Sequence, residues 1–253
     1  MTMTIGAPQR GTEPRRGWVA FTAVRGLGTL INTATVIAGG GVGVLVGHRI
    51  PEAVRTVVVQ VIGMVTLVMG VDYVLRSHNL VFPLVGTVIG AVIGELLRVE
   101  RGLERLGSWL RNRFARGGEE SRFVTGFVTA TLLFCIGPMT ILGAIEDASG
   151  ATPQLYIIKG TLDGFMTVVF AATYGIGAAF SAVGVFVVQG LLTLFGTGLD
   201  SLLDDRMRTE MFAAGGLTVL AIGLNLLEIK KIRLGSLLPA LVVTPVLVAL
   251  FAV

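Results

Sequence analysis

Cysteine is nearly absent from this 253-residue chain. Cys135 stands alone, which excludes an intramolecular disulfide and a thiolate metal cluster. Histidine is almost as scarce: His48 and His78 lie far apart, and neither an HExxH run nor a Cys/His cluster occurs. No metal site, cofactor or catalytic residue is therefore assigned, and an enzyme is not expected, because no nucleophile–base constellation emerges. Charge is thin, at 14% of residues against about a quarter in soluble domains. The net charge of +4 sits largely in basic loops, which points to anionic lipid as a partner and not to nucleic acid. No short apolar stretch with a small-residue cleavage site opens the chain. Residues 1–25 read as a polar tail and lead-in, with Trp18 and Phe21 placed to meet a membrane interface.

What is abundant is apolar sequence. Hydrophobic residues make up 53% of the chain, mean hydropathy is +0.82, and the 35 glycines are about twice the usual share. A helix needs about 20 residues to cross the hydrocarbon. Eight apolar segments come close to that length: 26–47, 54–75, 80–97, 123–148, 156–176, 178–195, 211–227 and 234–253. The expected fold is all-α, a polytopic transmembrane helix bundle forming one domain over 26–253. Between the third and fourth segments, Leu96, Leu97, Leu103, Leu106, Trp109, Leu110 and Phe114 recur at helical spacing among charges. That pattern predicts an amphipathic interfacial helix over 95–114, continuing from the third segment and ended by Gly117-Gly118.

Orientation follows from the basic residues. Arg49 and Arg55, the seven arginines from Arg98 to Arg122, and Lys230, Lys231 and Arg233 share one side. That side is expected to face the cytoplasm, in the cell (inner, cytoplasmic) membrane. An internal repeat is also legible. Arg55-Thr56, Gly63, Gly70 and Asp72 match Arg208-Thr209, Gly216, Gly223 and Asn225 at one offset, and Pro83 echoes Pro239. The two copies lie five crossings apart, so they would run antiparallel, as in the inverted repeats of secondary transporters.

Polar residues inside apolar segments are the candidate sites. Asp163, in KGTLDG, is costly in a membrane unless paired, hydrated or protonated, so it is either a functional carboxylate or a cap at the wet interface. Asn32 wants a partner, whether another helix, a substrate or an ion. Asp72 and Asn225 either coordinate a cation or cap their helices. Thr129 and Thr140 place hydroxyls in the fourth segment, where Gly137-Pro138 frees backbone carbonyls. Glu95 is expected to pair with Arg98, and Glu146 and Asp147 to form an acidic mouth or a solvated turn. Gln189, Thr193 and Thr244-Pro245 read as structural.

Five stretches carry a resemblance: GTLINTATVIAGGGVGVLVG (28–47), IGAVIGELLRVERGLERLGSWL (89–110), FVTGFVTATLLFCIGPMTILGAIEDA (123–148), KGTLDGFMTVVFAATYGIGAAFSA (159–182) and GGLTVLAIGLNLLEIKKIRLGSLLPALVVTPVL (215–247). They resemble the bacterial and archaeal integral membrane family catalogued as domain of unknown function 554. The likeness spans about 26–247. The polar tail is an extension, and Pro138 stands where a small residue such as alanine is expected. The resemblance implies a small polytopic inner-membrane protein and, loosely, transport; it supplies no substrate and no site residue. The expected function is a transporter or channel-like protein for a small solute or cation, working as a homo-oligomer. The alternative is a non-transporting scaffold or sensor that binds a partner through the 95–114 helix.

Overall fold

A computed structural model describes residues 24–47, 49–114 and 120–251, with the side chains of 120 and 121 excluded. The tail, Trp18, Phe21, His48 and Gly117-Gly118 lie outside the described residues. Every long element is helical, and no strand occurs among the described residues. Five helices are long and apolar enough to cross a membrane: α1 (Leu27–Gly47), α2 (Glu52–Leu75), α7 (Gln154–Tyr174), the joined α8 and α9 (Ile176–Ala179, Ser181–Leu194) and α11 (Asp205–Leu226). Two bent pairs raise the number to seven: α3 (Val81–Leu96) with α4 (Val99–Phe114), and α5 (Glu120–Cys135) with α6 (Pro138–Ala148). The expected eighth crossing falls short. Its stretch divides into a 3-10 turn, Gly235–Leu237, and α12 (Ala240–Phe251), which carries Pro245.

The breaks have local causes. The fourth segment is two helices bent by 63°, because Gly137 is extended and Pro138 opens α6. The interfacial helix does not continue straight from the third segment. Arg98 adopts a left-handed backbone (φ 55°), and α4 leaves α3 at 55°. The fifth and sixth segments meet at Gly175, whose φ of 77° suits glycine. Ahead of the seventh segment, the chain runs through α10 (Gly196–Leu202), and Asp204 caps α11 by accepting Met207 N–H at 2.7 Å.

Glycine sets the spacing of the bundle. Along α1, Gly39, Gly43 and Gly47 meet the α7 backbone at Gly164, Val168 and Ala172, so α1 and α7 run parallel in close contact. α2 and α11 pack antiparallel. Gly70 meets Gly216, and Gly63 meets Gly223. The repeat pairs Gly63 with Gly216 and Gly70 with Gly223, so the contact exchanges the two copies, as a two-fold axis between them requires. α3 and α12 continue the arrangement, with Gly86, Gly90 and Gly94 against Thr244, Ala240 and Ser236. The outside of the bundle is Leu, Val and Phe: Leu45, Val68, Leu75 and Phe165 are each at least 69% exposed, a surface suited to lipid and not to water.

Three polar ties close the ends. Glu210 on α11 is fully buried and accepts from Ser77 Oγ at 2.5 Å, His78 N at 2.8 Å and Asn79 N at 3.1 Å, which fixes the α2–α3 turn. Glu95 pairs with Arg233, and accepts from Ser236 Oγ at 3.2 Å, in place of the expected Arg98. That carboxylate holds the Arg233 guanidinium above its usual range. Glu100 on α4 accepts from Gly235 N at 2.5 Å, docking the amphipathic helix on its own bundle. Replacing Glu210 by alanine strands three donors, and we expect a loss of about 2–3 kcal/mol, read as a lower melting midpoint in detergent.

Candidate functional site

The α1–α7 seam brings Asn32 against Asp163. Asp163 is the tenth of the 21 residues of α7, about 14 Å along it at 1.5 Å per residue, which is mid-membrane for a spanning helix. It is therefore not the helix cap, a place held by Pro153. Asn32 Nδ2 donates to Asp163 Oδ2 at 3.0 Å and to Gln189 Oε1 on α9 at 3.1 Å. Lys159 Nζ, one turn before Asp163 on the same face, forms an ion pair with the same Oδ2. The Thr167 hydroxyl donates to the Asp163 carbonyl at 2.6 Å. Asn32 and Gln189 are fully buried, and Lys159 and Asp163 nearly so. The ammonium also lies 5.9 Å from the centre of the Phe134 ring, close to the break between α5 and α6.

The close seam explains why these groups meet. A Cβ on Gly160 would lie 3.1 Å from Asn32 Cα, and one on Gly164 would lie 3.1 Å from Thr35 Cβ. Glycine at both positions lets α1 approach closely without displacing either helix, near enough for a short amide to reach the carboxylate. Two polar atoms in the cluster remain buried and unpaired, Asn32 Oδ1 and Gln189 Nε2. Unpaired buried polar atoms cost about 1–3 kcal/mol each, so two of them beside one buried ion pair make this the part of the α1–α7–α9 core where polar groups are least satisfied by one another.

A second polar layer lies about one turn away, toward the start of α1. Asp147 on α6 is 1% exposed. It accepts from Gly28 N at 2.9 Å, Thr29 N at 3.1 Å and Thr29 Oγ1 at 3.1 Å, and from Thr193 Oγ1 on α9 at 3.4 Å. It therefore caps α1 from a distance, where a carboxylate suits the positive end of the helix, and is neither an acidic mouth nor a solvated turn. Its neighbour Glu146 accepts from Leu155 N at 2.9 Å. Thr29 to Asn32 and Thr193 to Gln189 are each one turn, so hydroxyl and amide groups step inward from the Asp147 layer to the Asp163 layer.

The other candidates lie elsewhere. Asp72 is half-exposed and pairs with Arg76 at 2.7 Å. Asn225 clamps the turn after α11, donating to Ile232 O and accepting from Ile232 N, both at 2.8 Å. Thr140 seals the helix break: its hydroxyl donates to Phe134 O at 3.1 Å, and its carbonyl accepts from Tyr156 Oη at 2.8 Å. Thr129 is buried on α5 and makes no hydrogen bond to the cluster among the described residues. Asp72→Ala should leave the melting midpoint within the error of an exposed ion pair, below about 0.5 kcal/mol. Sequence reasoning passed over Lys159, read Gln189 as structural and placed Asp147 in an acidic mouth or a solvated turn. The four-residue spacing of Lys159 and Asp163 was the available signal, since it puts both charges on one helix face.

Comparison with known proteins agrees with this architecture. The model of the family described as "Protein of unknown function (DUF554)" matches residues 27–249. The chain belongs to this family. Among relatives of this DUF554 protein, the Bacillus subtilis (strain 168) "Uncharacterized membrane protein YdfK" is 31% identical over 225 residues, covering 87% of this chain and 95% of that one. The Escherichia coli (strain K12) "Uncharacterized protein YqgA" is 29% identical over 218 residues, covering 85% and 93%. No solved structure matches the chain. The DUF554 match begins at the first residue of α1 and ends inside α12, so it takes in nearly all of the described bundle and both polar layers.

Proposed function

We propose that this DUF554 membrane protein moves a small solute or ion across the cytoplasmic membrane, with the Asp163 cluster as its substrate or coupling site. One observation carries the reading: a buried Lys159–Asp163 ion pair, halfway along a spanning helix, surrounded by incompletely paired amides. A structural core has no need of this. An ion pair is costly to bury and is often replaceable by apolar residues without loss of stability. The antiparallel repeat copies and the α5–α6 break fit the same reading, since transporters of inverted-repeat design hold their sites near the midplane beside broken helices. Asn32, Gln189 and Asp163 would contact the substrate, and Thr29, Thr193 and Asp147 would line the approach from one face. The basic face, with Arg55 and Arg122, would be cytoplasmic, and assembly as a homo-oligomer is part of the proposal.

The scaffold reading has less support. The inner face of α4 is already occupied by its own chain, through Leu110, Gly107 against Phe127, and Glu100 on Gly235. A thermal-shift panel of cations, amino acids and organic acids, run on wild type and Asp163→Asn, tests the choice. A ligand that binds only the folded protein raises its melting midpoint with concentration. At least one class is expected to stabilise wild type and not the variant. A panel that shifts neither protein would turn attention to partners of α4.

A further inference from the structure

The two copies of the repeat treat one arginine differently. At the repeat offset Arg55 answers to Arg208, Gly47 to Asp200 and Glu52 to Asp205. In each copy the arginine donates Nη2 to the main-chain carbonyl 8 residues earlier: Arg55 to Gly47 O, and Arg208 to Asp200 O at 3.0 Å. Nε is buried and unpaired in both. The carboxylates set the copies apart. Arg208 Nη2 also donates to Asp200 Oδ1 at 2.8 Å, and Asp205 Oδ1 lies 3.9 Å from Nη1. Gly47 has no side chain to offer, and Arg55 makes no ion pair among the described residues. A Cβ on Gly47 would fall 2.8 Å from Ala172 Cα, so the close α1–α7 seam leaves no room for an aspartate there.

Arg55 instead lines a cavity of about 550 Å³, a size suited to a small molecule. The cavity lies among the start of α2, the start of α5 and the ends of α7 and α11. Arg122 lines it from α5 and donates to Thr173 O at the end of α7. It too makes no ion pair among the described residues. Binding the negative ends of α1 and α7 accounts for one N–H on each guanidinium. Arginine has five. Two carboxylates, Glu52 and Glu228, also line the cavity, and neither forms an ion pair among the described residues.

We propose that this cavity binds a small, singly charged carboxylate, whose oxygens take at Arg55 the place that Asp200 takes at Arg208 and reach Arg122 as well. The guanidinium fork matches carboxylate geometry. Glu52 and Glu228 limit the charge of the ligand. They already equal the two arginines in number, so a second negative charge would meet only repulsion from them. Val59, Leu226 and Leu227 give the ligand's organic body an apolar wall. Thr173 is 10 residues past Asp163 on α7, roughly 15 Å at 1.5 Å per residue. The site is therefore distinct from the Asp163 cluster and does not rest on the transport reading.

The test uses the full chain, purified in detergent near neutral pH at constant ionic strength, with the melting midpoint read against concentration. Among sodium formate, acetate, butyrate and benzoate, at least one should raise the midpoint in a saturable way. Chloride should not, and phosphate and sulfate should act far more weakly. Arg122→Gln changes an exposed side chain, so it should melt like wild type without ligand and bind about tenfold more weakly. Arg55→Lys keeps the charge at the end of α1 but loses the fork, and should also weaken binding. Glu228→Gln should bind the carboxylate more tightly and admit phosphate, a gain that no folding defect produces. Asp163→Asn should show the same rise as wild type. A lack of any saturable carboxylate response overturns the proposal. So does a preference for phosphate or sulfate, or a response unchanged in both arginine variants. If the response is lost in Asp163→Asn and kept in both arginine variants, the carboxylate binds at the Asp163 cluster: this site falls and the transport reading stands.

Discussion

Asp163→Ala alone should lower the melting midpoint of the detergent-purified protein by roughly 10 °C, whereas the double variant Lys159→Met with Asp163→Leu should melt close to wild type and transport nothing. Removing one partner of a buried ion pair leaves the other charge uncompensated, at about 3–5 kcal/mol, and a loss of that size shifts the midpoint of a chain this long by this order. Replacing both partners with apolar residues of similar size removes the desolvation cost together with the attraction. Both side chains are about nine-tenths buried in the α1–α7–α9 core, so the full effect applies. The contrast separates two roles that a single substitution confuses. A pair kept for stability predicts that the double variant is as damaged as the single. A pair kept for function predicts a folded and inert protein.

The second large effect concerns neighbouring glycines with opposite surroundings. Gly39→Leu should abolish the folded protein and Gly39→Ala should destabilise it clearly, while Gly41→Ala should be silent or slightly stabilising. A Cβ on Gly39 falls on the carbonyl of Gly164, a backbone atom that cannot rotate away. Overpacking of this kind costs about 1–3 kcal/mol for a small group and more for a larger one. It also pushes α1 off α7, which separates Asn32 from Asp163. Gly41 faces outward with nothing within 4 Å, and alanine favours a helix over glycine by up to about 1 kcal/mol. Far-ultraviolet circular dichroism and size-exclusion profiles in detergent read both results.

Hydropathy revealed the all-α membrane bundle because burial in lipid leaves a long apolar signature in one dimension. It overcounted the crossings because composition is blind to where a helix bends. The stretch from Gly235 to Phe251 is apolar throughout, yet it divides into a short turn and a 12-residue helix. Glycine spacing revealed the antiparallel repeat, since Gly63, Gly70, Gly216 and Gly223 recur at one offset and meet across one interface. Asp163 and Asn32 were legible one at a time, as polar groups in apolar runs. Their pairing was not, because it depends on the parallel register of two helices more than 100 residues apart. Asp147 shows the limit most clearly. Its sequence context, Glu-Asp-Ala-Ser-Gly, reads as an acidic mouth or a solvated turn, and only the folded chain brings the start of α1 onto its carboxylate.

The most direct test of the central claim is flux in proteoliposomes. Wild type and the Lys159→Met, Asp163→Leu double variant would be reconstituted at equal density, with the ligand that stabilises wild type placed on one side. The account predicts saturable, ligand-specific movement in wild type and only background leak in a double variant that still melts like wild type. Equal flux through both proteins would show that the buried pair is not the transport site.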